Sequence, residues 1–358
     1  MKRRDGGSMW AAPLLLAAGC VAALLIAEWA AATFAVVDTP PGLFRASATR
    51  SFEHKPGFRG KDRFGHPIRI NSRGLRDQEH AVPKPPKTFR ILALGDSVTF
   101  GDGVRGEETF SEELERRLSA RLSAEGRSAE VLNAGVRGYN TLQQYLLLQE
   151  TGEEHEPDLV LVGFVLNDAE PIAKQAGLID PKYGALIRIK NWVRDHSYLY
   201  AVLRRSMELF RHRTSTGRHS ETYEDQFADD HEGWRACRQA LADLKRWSES
   251  RKTPLLLVLI PRFESLEREQ DYPWKPLHEK VALEAGRLGI DTVDLLPEFI
   301  GEDPSKFIIV PTDTFHPNPE GHRRIAAALE RTLDQRGFLT AAISAGAVGA
   351  AGDEADAK

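Results

Sequence analysis

The sequence predicts an α/β fold, a parallel β-sheet with helices on both faces. Three observations carry that reading. From Phe89 onward, strand-like and helix-like segments alternate, the order that builds strand–helix–strand units. Asp158 to Leu166 and Pro254 to Ile260 are apolar at nearly every position, as strands buried on both faces are. Phe110, Leu114, Leu118 and Leu122 recur at the spacing of one helix face.

In order, Phe89 to Leu94 reads as the first strand, broken by Gly95-Asp96-Ser97, and Phe110 to Leu122 as a helix. Glu130 to Asn133 follows as a short strand, Tyr139 to Thr151 as a helix and Asp158 to Leu166 as a strand. After an insertion at about 170–230 come a helix from Trp234 to Arg251 and the strand Pro254 to Ile260. A helix within 275–288, a short strand near Thr292 and a last helix from Pro319 to about Gln335 complete the domain, residues 89–337. The segment 338–358 turns Ala/Gly-rich and then acidic, the composition of a disordered tail.

Residues 1–37 read as a cytoplasmic stub and a transmembrane signal anchor. Lys2, Arg3 and Arg4 precede an apolar stretch from Trp10 to Val37 interrupted only by Glu28, and its uncharged part, Trp10 to Ala27, has 18 residues. That length just spans a bilayer, and the basic cluster keeps the N-terminus inside while the rest is sent out. Two other readings stand beside it: a secretory signal cleaved near Ala30-Ala31-Ala32, and a lipoprotein cut before Cys20. All three place the domain outside the cytoplasm, in a periplasm or at a cell surface. Residues 38–88 form an extracytoplasmic arm or linker rich in Pro, Gly and basic side chains. Within it Ile68 to Arg76 suggests a hairpin turning at Gly74, and Val82 to Pro86 a stiff connector. No chemistry is expected of this arm.

A net charge of −4 over 358 residues gives no footprint for nucleic acid. The two cysteines are Cys20, inside the apolar stretch, and Cys237. No internal disulfide is expected, and cysteine usage does not tell the redox compartment.

Candidate chemistry lies at the ends of the strands, where open α/β sheets place their ligands. Gly95-Asp96-Ser97 would leave one hydroxyl at that edge; taken alone, it is also a turn whose Asp and Ser bond their own backbone. Gly101-Asp-Gly103-Val-Arg-Gly106 imitates a dinucleotide fingerprint, but it begins seven residues past Leu94. The next strand ends in Asn133, where an acidic ribose ligand would be expected. Gly135-Val-Arg-Gly138 either lets backbone N–H groups approach a ligand or makes a plain strand-to-helix turn. Asn167, in Asn167-Asp168, either donates its amide to a developing oxyanion or caps the next helix. His316 stands three residues after Asp313, close enough for the carboxylate to fix its tautomer. His322 reads as a packing or capping residue. A metal held by His316, His322 and Asp313 has no further His/Cys/Asp cluster to support it, so neither metal nor cofactor is expected.

The set Gly95-Asp96-Ser97, Gly138, Asn167-Asp168 and Asp313-x-x-His316, in this order over residues 91–322, resembles the SGNH (GDSL) hydrolase family. The arm Asn71-Ser-Arg-Gly-Leu-Arg76 and the N-terminal anchor are similar to those of its membrane-tethered bacterial members; 170–230 and the tail lie outside the resemblance. It implies a flavodoxin-like three-layer α/β/α sandwich that acts on esters without metal. It also implies Ser97 as nucleophile, His316 as general base and Asp313 as its orienting partner. The Ser97 N–H, the Gly138 N–H and the Asn167 side chain would form the oxyanion hole. One departure stands out: Val165 occupies a position that is often Gly, in Gly-x-Asn-Asp.

The expectation is an extracytoplasmic serine esterase that removes acyl groups from an envelope carbohydrate or lipid through an acyl-serine. An O-acyltransferase for an exported polysaccharide would use the same Ser97, although a single span supplies no multi-span acyl-donor channel. A non-catalytic binding module would not need Ser97, Asp313 and His316 together. In the insertion, Leu186, Ile189, Val193, Tyr200, Leu203, Met207 and Phe210 form one apolar stripe. Arg188, Lys190, Arg194, Arg204, Arg205, Arg211 and Arg213 surround it, against Asp195 and Glu208. A helix packed on the domain, a membrane-surface helix and a cover beside the active site are the three readings.

Overall fold

The computed structural model describes residues 11–34, 37–171, 185–214 and 222–340, with backbone alone at 185–188 and 208–214. Of the tail expected to be disordered over 338–358, residues 338–340 are instead ordered, with Leu339 buried in the same core as Leu118 and Leu329. The part from 341 lies outside the described residues, as do the side chains of Leu186, Arg188, Glu208, Phe210, Arg211 and Arg213. Helix α1 (Ala11–Phe34) is 24 residues long and has no buried residue. At 1.5 Å per residue it extends about 36 Å, enough to cross a membrane.

Two small hairpins follow, β1 (Phe44–Ser47) with β2 (Ser51–His54), and β3 (Arg59–Lys61) with β4 (Pro67–Arg69). The hairpin expected at Ile68–Arg76 is corrected by this arrangement. Ile68 belongs to β4, and residues 71–75 are a tight turn in which Asn71 Oδ1 accepts from the Arg73 and Leu75 N–H groups, both at 3.0 Å. An Asn that bonds the backbone ahead of it closes a turn without a partner strand.

Next come β5 (Thr88–Gly95), α2 (Ser97–Phe100), α3 (Phe110–Leu122), β6 (Ser128–Gly135), α4 (Thr141–Thr151) and β7 (Leu159–Phe164). Helices α5 (Ala185–His196), α6 (Tyr198–Thr214), α7 (Tyr223–Gln226) and α8 (Glu232–Arg251) precede β8 (Leu255–Leu259). The chain ends with α9 (Lys275–Arg287), β9 (Asp291–Asp294) and α10 (Pro319–Gln335). The single apolar stripe expected in the insertion is split into α5 and α6 at Ser197. There Ser197 Oγ accepts from Tyr200 N at 3.0 Å, the bond of a helix N-cap.

Strands β5 to β9 form one parallel sheet in the order β6-β5-β7-β8-β9. Counted from β5 this is 2-1-3-4-5, the flavodoxin-like order, whose ligand site falls where the winding reverses beside the first strand. Side chains alternate between two cores, as the period of a strand requires. Leu92, Leu94, Val160 and Val162 meet Leu147, Trp234, Leu244 and Val281 from α4, α8 and α9. Ile91, Ala93, Leu161 and Val258 meet Leu114, Leu118, Ile325 and Leu329 from α3 and α10. This is the three-layer α/β/α sandwich. Phe44, Phe52, Ile68, Ile70 and Leu75 join the first core, so the arm is packed onto the domain.

Candidate active site

Strand β5 delivers its last residues into a tight turn. A Cβ at Gly95 would overlap the Thr99 side chain, so only glycine lets α2 start directly at the strand end. Buried Asp96 caps α2, its Oδ1 accepting from Val98 N at 2.8 Å. Ser97, the first residue of α2, keeps its side chain partly exposed. Arg76 fastens the far end of this short helix by donating to the carbonyls of Phe100 (2.7 Å), Gly101 and Val104 (2.7 Å).

His316 arrives from the opposite side, on the loop before α10. Asn318 caps that helix through Glu320 N (2.9 Å) and Gly321 N (3.1 Å), with Pro319 preset at its first turn. His316 Nε2 lies 2.9 Å from Ser97 Oγ, and Nδ1 lies 2.8 Å from Asp313 Oδ2 and 3.0 Å from Oδ1. With Nδ1 facing a carboxylate, that nitrogen carries the proton and Nε2 is left to accept from the serine.

Burial works to lower the His316 pKa. The Asp313 hydrogen bond and the charges of Asp102, Asp313 and Asp96 outweigh it, so the group is raised above the ordinary histidine value. Burial pushes Asp313 the other way, but its bond to His316, the imidazolium charge and the backbone N–H groups of His316 and Phe315 hold it far below the usual carboxylate range.

Gly138, expected in the oxyanion hole, is exposed in the turn after β6, with φ of +79°, a conformation that favours glycine. Among the described residues, neither the Ser97 N–H nor the Gly138 N–H has a hydrogen-bond partner. Asn167 Nδ2 donates to Asp96 Oδ2 at 3.1 Å. A carboxamide has two N–H groups, so one remains for a ligand. Asn167 is set by a 3-10 turn, Leu166–Ala169. There Asp168 Oδ2 accepts from Val165 N at 2.8 Å, and Oδ1 from Thr141 Oγ1 (3.1 Å) and Gln144 Nε2 (2.6 Å). Burial and the neighbouring Asp96 push the Asp168 pKa upward. Val165 has φ of −129° and ψ of 168°, extended backbone open to any residue. The departure from Gly therefore introduces no strain.

His322 sits apart from this set in role. It is fully buried, its Nδ1 accepts from Phe110 N at 3.1 Å, and its ring stacks on Phe110. Burial pulls its pKa down to about 3, which keeps it a neutral packing residue. Among the described residues no group of three His, Cys, Asp or Glu side chains could hold a metal ion. The glycines from 101 to 106 lie beyond α2, with Gly101 closing that helix at φ of +84°, and not at the end of β5.

The arm, from which no chemistry was expected, supplies a shell of charge around the site. Arg63 Nη2 donates to Asp313 Oδ2 at 3.0 Å, and its Nη1 lies 3.5 Å from Asp38 Oδ1. Arg137, in the Gly135–Gly138 turn, donates to the Asp38 carbonyl (2.7 Å) and to Asp102 Oδ2 (2.9 Å). That same Asp102 oxygen is 4.0 Å from His316 Nε2. Nothing local in the sequence ties Arg63 to an aspartate 250 residues on. Beside His316, Arg262 lies over the Phe315 ring at 4.3 Å and near Tyr223 and Trp274, a second feature that residue spacing does not reveal.

Residues 93–324 match the GDSL-like Lipase/Acylhydrolase family. The chain belongs to that family, and it is a serine hydrolase of the esterase and acylhydrolase type. Solved structures similar to it include LAE5, an alpha/beta hydrolase enzyme from the metagenome of Lake Arreo, Spain. The two are 18% identical, with 70% of this chain and 95% of that one covered at a TM-score of 0.43. A variant of Axe2, an acetyl xylan esterase from Geobacillus stearothermophilus, is 16% identical over 68% of this chain and 93% of that one, at a TM-score of 0.40. A GDSL-like lipase from Bacteroides thetaiotaomicron is 15% identical over 69% and 89%, at 0.35. No curated protein matches the chain.

Proposed function

We propose that the protein is a membrane-anchored, extracytoplasmic serine esterase that removes acyl groups from a carbohydrate or lipid ester of the cell envelope. The observation that supports it is one continuous hydrogen-bonded series, Ser97 Oγ to His316 Nε2 at 2.9 Å and His316 Nδ1 to Asp313 at 2.8 Å. As Ser97 Oγ attacks the acyl carbon, neutral His316 takes its proton at Nε2, and Asp313 stabilises the imidazolium that forms. The carbonyl oxygen gains the negative charge and is met by the Ser97 N–H, the Gly138 N–H and the Asn167 amide. Collapse breaks the bond to the alcohol, which leaves with the proton from His316. Water then attacks the acyl-serine, His316 takes a proton from it, and the carboxylic acid departs as Ser97 regains its hydrogen. Ser97→Ala is expected to abolish covalent labelling by an organophosphonate and to cut kcat by roughly 10⁴–10⁶, with an unchanged circular-dichroism spectrum. Labelling that persists on another serine would overturn the assignment.

A further inference from the structure

The corner between α5 and α6, where Ser197 caps α6 through Tyr200 N at 3.0 Å, is also met by a side chain of the apolar N-terminal helix. Glu28 Oε1 accepts from Tyr198 N at 2.6 Å, and Oε2 from Ser197 Oγ (2.6 Å) and Leu199 N (3.2 Å). The carboxylate thus satisfies N–H groups that open α6, the work of a capping residue. Further along, Asp38 Oδ1 pairs with Arg205 Nη1 at 3.3 Å. Seven residues separate Tyr198 from Arg205, about 10 Å of helix, and about 9 Å separates Glu28 from the end of α1. The two helices therefore run side by side in the same sense. The start of α6 is level with Glu28 and the exposed Trp29, just past the uncharged part of α1. The hairpin also rests on the arm, where a Cβ at Gly42 would stand 2.9 Å from the Asp195 carbonyl.

Among the described residues, this hairpin carries apolar surface without cover. Ile189 and Trp192 on α5 are 59% and 62% exposed, and Leu203 and Met207 on α6 are 54% and 53% exposed. Each pair is spaced to share one helix face. Beyond α1, four of the seven exposed large hydrophobic residues among those described lie here; the others, Phe64, Val82 and Leu283, are scattered. Over 185–214 the sequence has seven Lys and Arg against two acidic residues. An apolar face flanked by basic residues, and level with the end of a spanning helix, suits an anionic bilayer surface.

We propose that the α5–α6 hairpin is a second membrane contact, seated in the headgroup layer beside α1, and that it holds the Ser97 site at that surface to take a membrane-borne acyl ester. The link to the site is short. Asp38, four residues past α1, meets Arg63 and Arg137, which hold Asp313 and Asp102 around His316. The substrate part rests on the reading of Ser97 as nucleophile; the hairpin's seat does not.

The test uses the full chain in vesicles of phosphatidylcholine and phosphatidylglycerol. An environment-sensitive fluorophore on Leu203→Cys, in a Cys20→Ala background, is expected to emit as in an apolar medium and to be quenched by nitroxide-labelled lipids. Water-like emission without quenching overturns the membrane seat, whether or not the enzyme turns over. Ile189→Asp with Trp192→Asp is expected to lower kcat/KM about tenfold or more on an ester lipid in those vesicles, the loss of two apolar side chains from the bilayer. Turnover of a water-soluble acetate ester stays within about twofold. Equal loss on both esters, or on neither, overturns the membrane-borne substrate. A quenched fluorophore on a chain that hydrolyses no ester keeps the hairpin's seat and sinks the Ser97 reading instead.

Discussion

Asp313 holds four contacts at once. Its Oδ1 accepts from the backbone of Phe315 and His316 at 3.2 Å, its Oδ2 meets Arg63, and both oxygens face His316 Nδ1. A carboxylate so held stays ionised through the whole working range and keeps the imidazole in one tautomer. In the proposed mechanism His316 must be neutral to accept the Ser97 proton. Its pKa is raised, burial being outweighed by the Asp313 hydrogen bond and by Asp102, Asp313 and Asp96. The active form therefore grows as pH rises, and kcat/KM should climb with unit slope through an apparent pKa above the ordinary histidine value of about 6.5. Asp102→Asn removes one negative neighbour and should move that limb to lower pH. A limb that stays in place when Asp102 is neutralised would mean that the titrating group is not His316.

At the scale of elements, the site joins β5, β7 and the loop before α10 to an arm that precedes them all. Arg63, between β3 and β4, is a positioning residue: it acts on Asp313 and does not touch the reacting atoms. Arg63→Met removes a charge-assisted hydrogen bond of about 1.5–3 kcal/mol, which bounds the fall in kcat at roughly 10–100-fold. It also removes a positive charge near His316, so the pH limb should shift upward. Lower kcat with no such shift would reduce Arg63 to a packing residue. Ser97 and Asn167 were legible because strand ends are readable from apolar runs that stop, and His316 because it stands three residues after Asp313, just before a helix that opens with Pro319. Arg63 was not, since its partner comes from pairing across the fold and leaves no local pattern. The break at Ser197 does carry a local signal, since the Ser197 hydroxyl accepts from Tyr200 N at 3.0 Å as an N-cap; what leaves no pattern is the Glu28 carboxylate that meets the same corner from 169 residues earlier.

Over the whole molecule, the elements from Phe110 to Leu122 and from Pro319 to Gln335 fall where periodicity and capping residues put them. Periodicity registers which face of an element is apolar but not what that face meets. The arm 38–88 thus reads as a linker in sequence, although its apolar residues complete one side of the sheet. Phe52 is fully buried, packs edge-to-face on Phe44 and Tyr139 at 5.2 and 5.3 Å, and receives the Tyr139 hydroxyl on its carbonyl at 2.6 Å. Tyr139 immediately follows Gly138, so the arm also braces the turn at Gly138. Phe52→Ala empties a site whose walls belong to both the arm and the domain, and should cost about 3–5 kcal/mol. If arm and domain fold as one unit, denaturant unfolding of the detergent-solubilised chain should shift as a single transition, with circular dichroism and organophosphonate labelling of Ser97 lost together. An early transition that leaves Ser97 labelling intact, or a midpoint equal to the parent's, would make the arm an appendage and leave the turn at Gly138 to be held by the sheet alone.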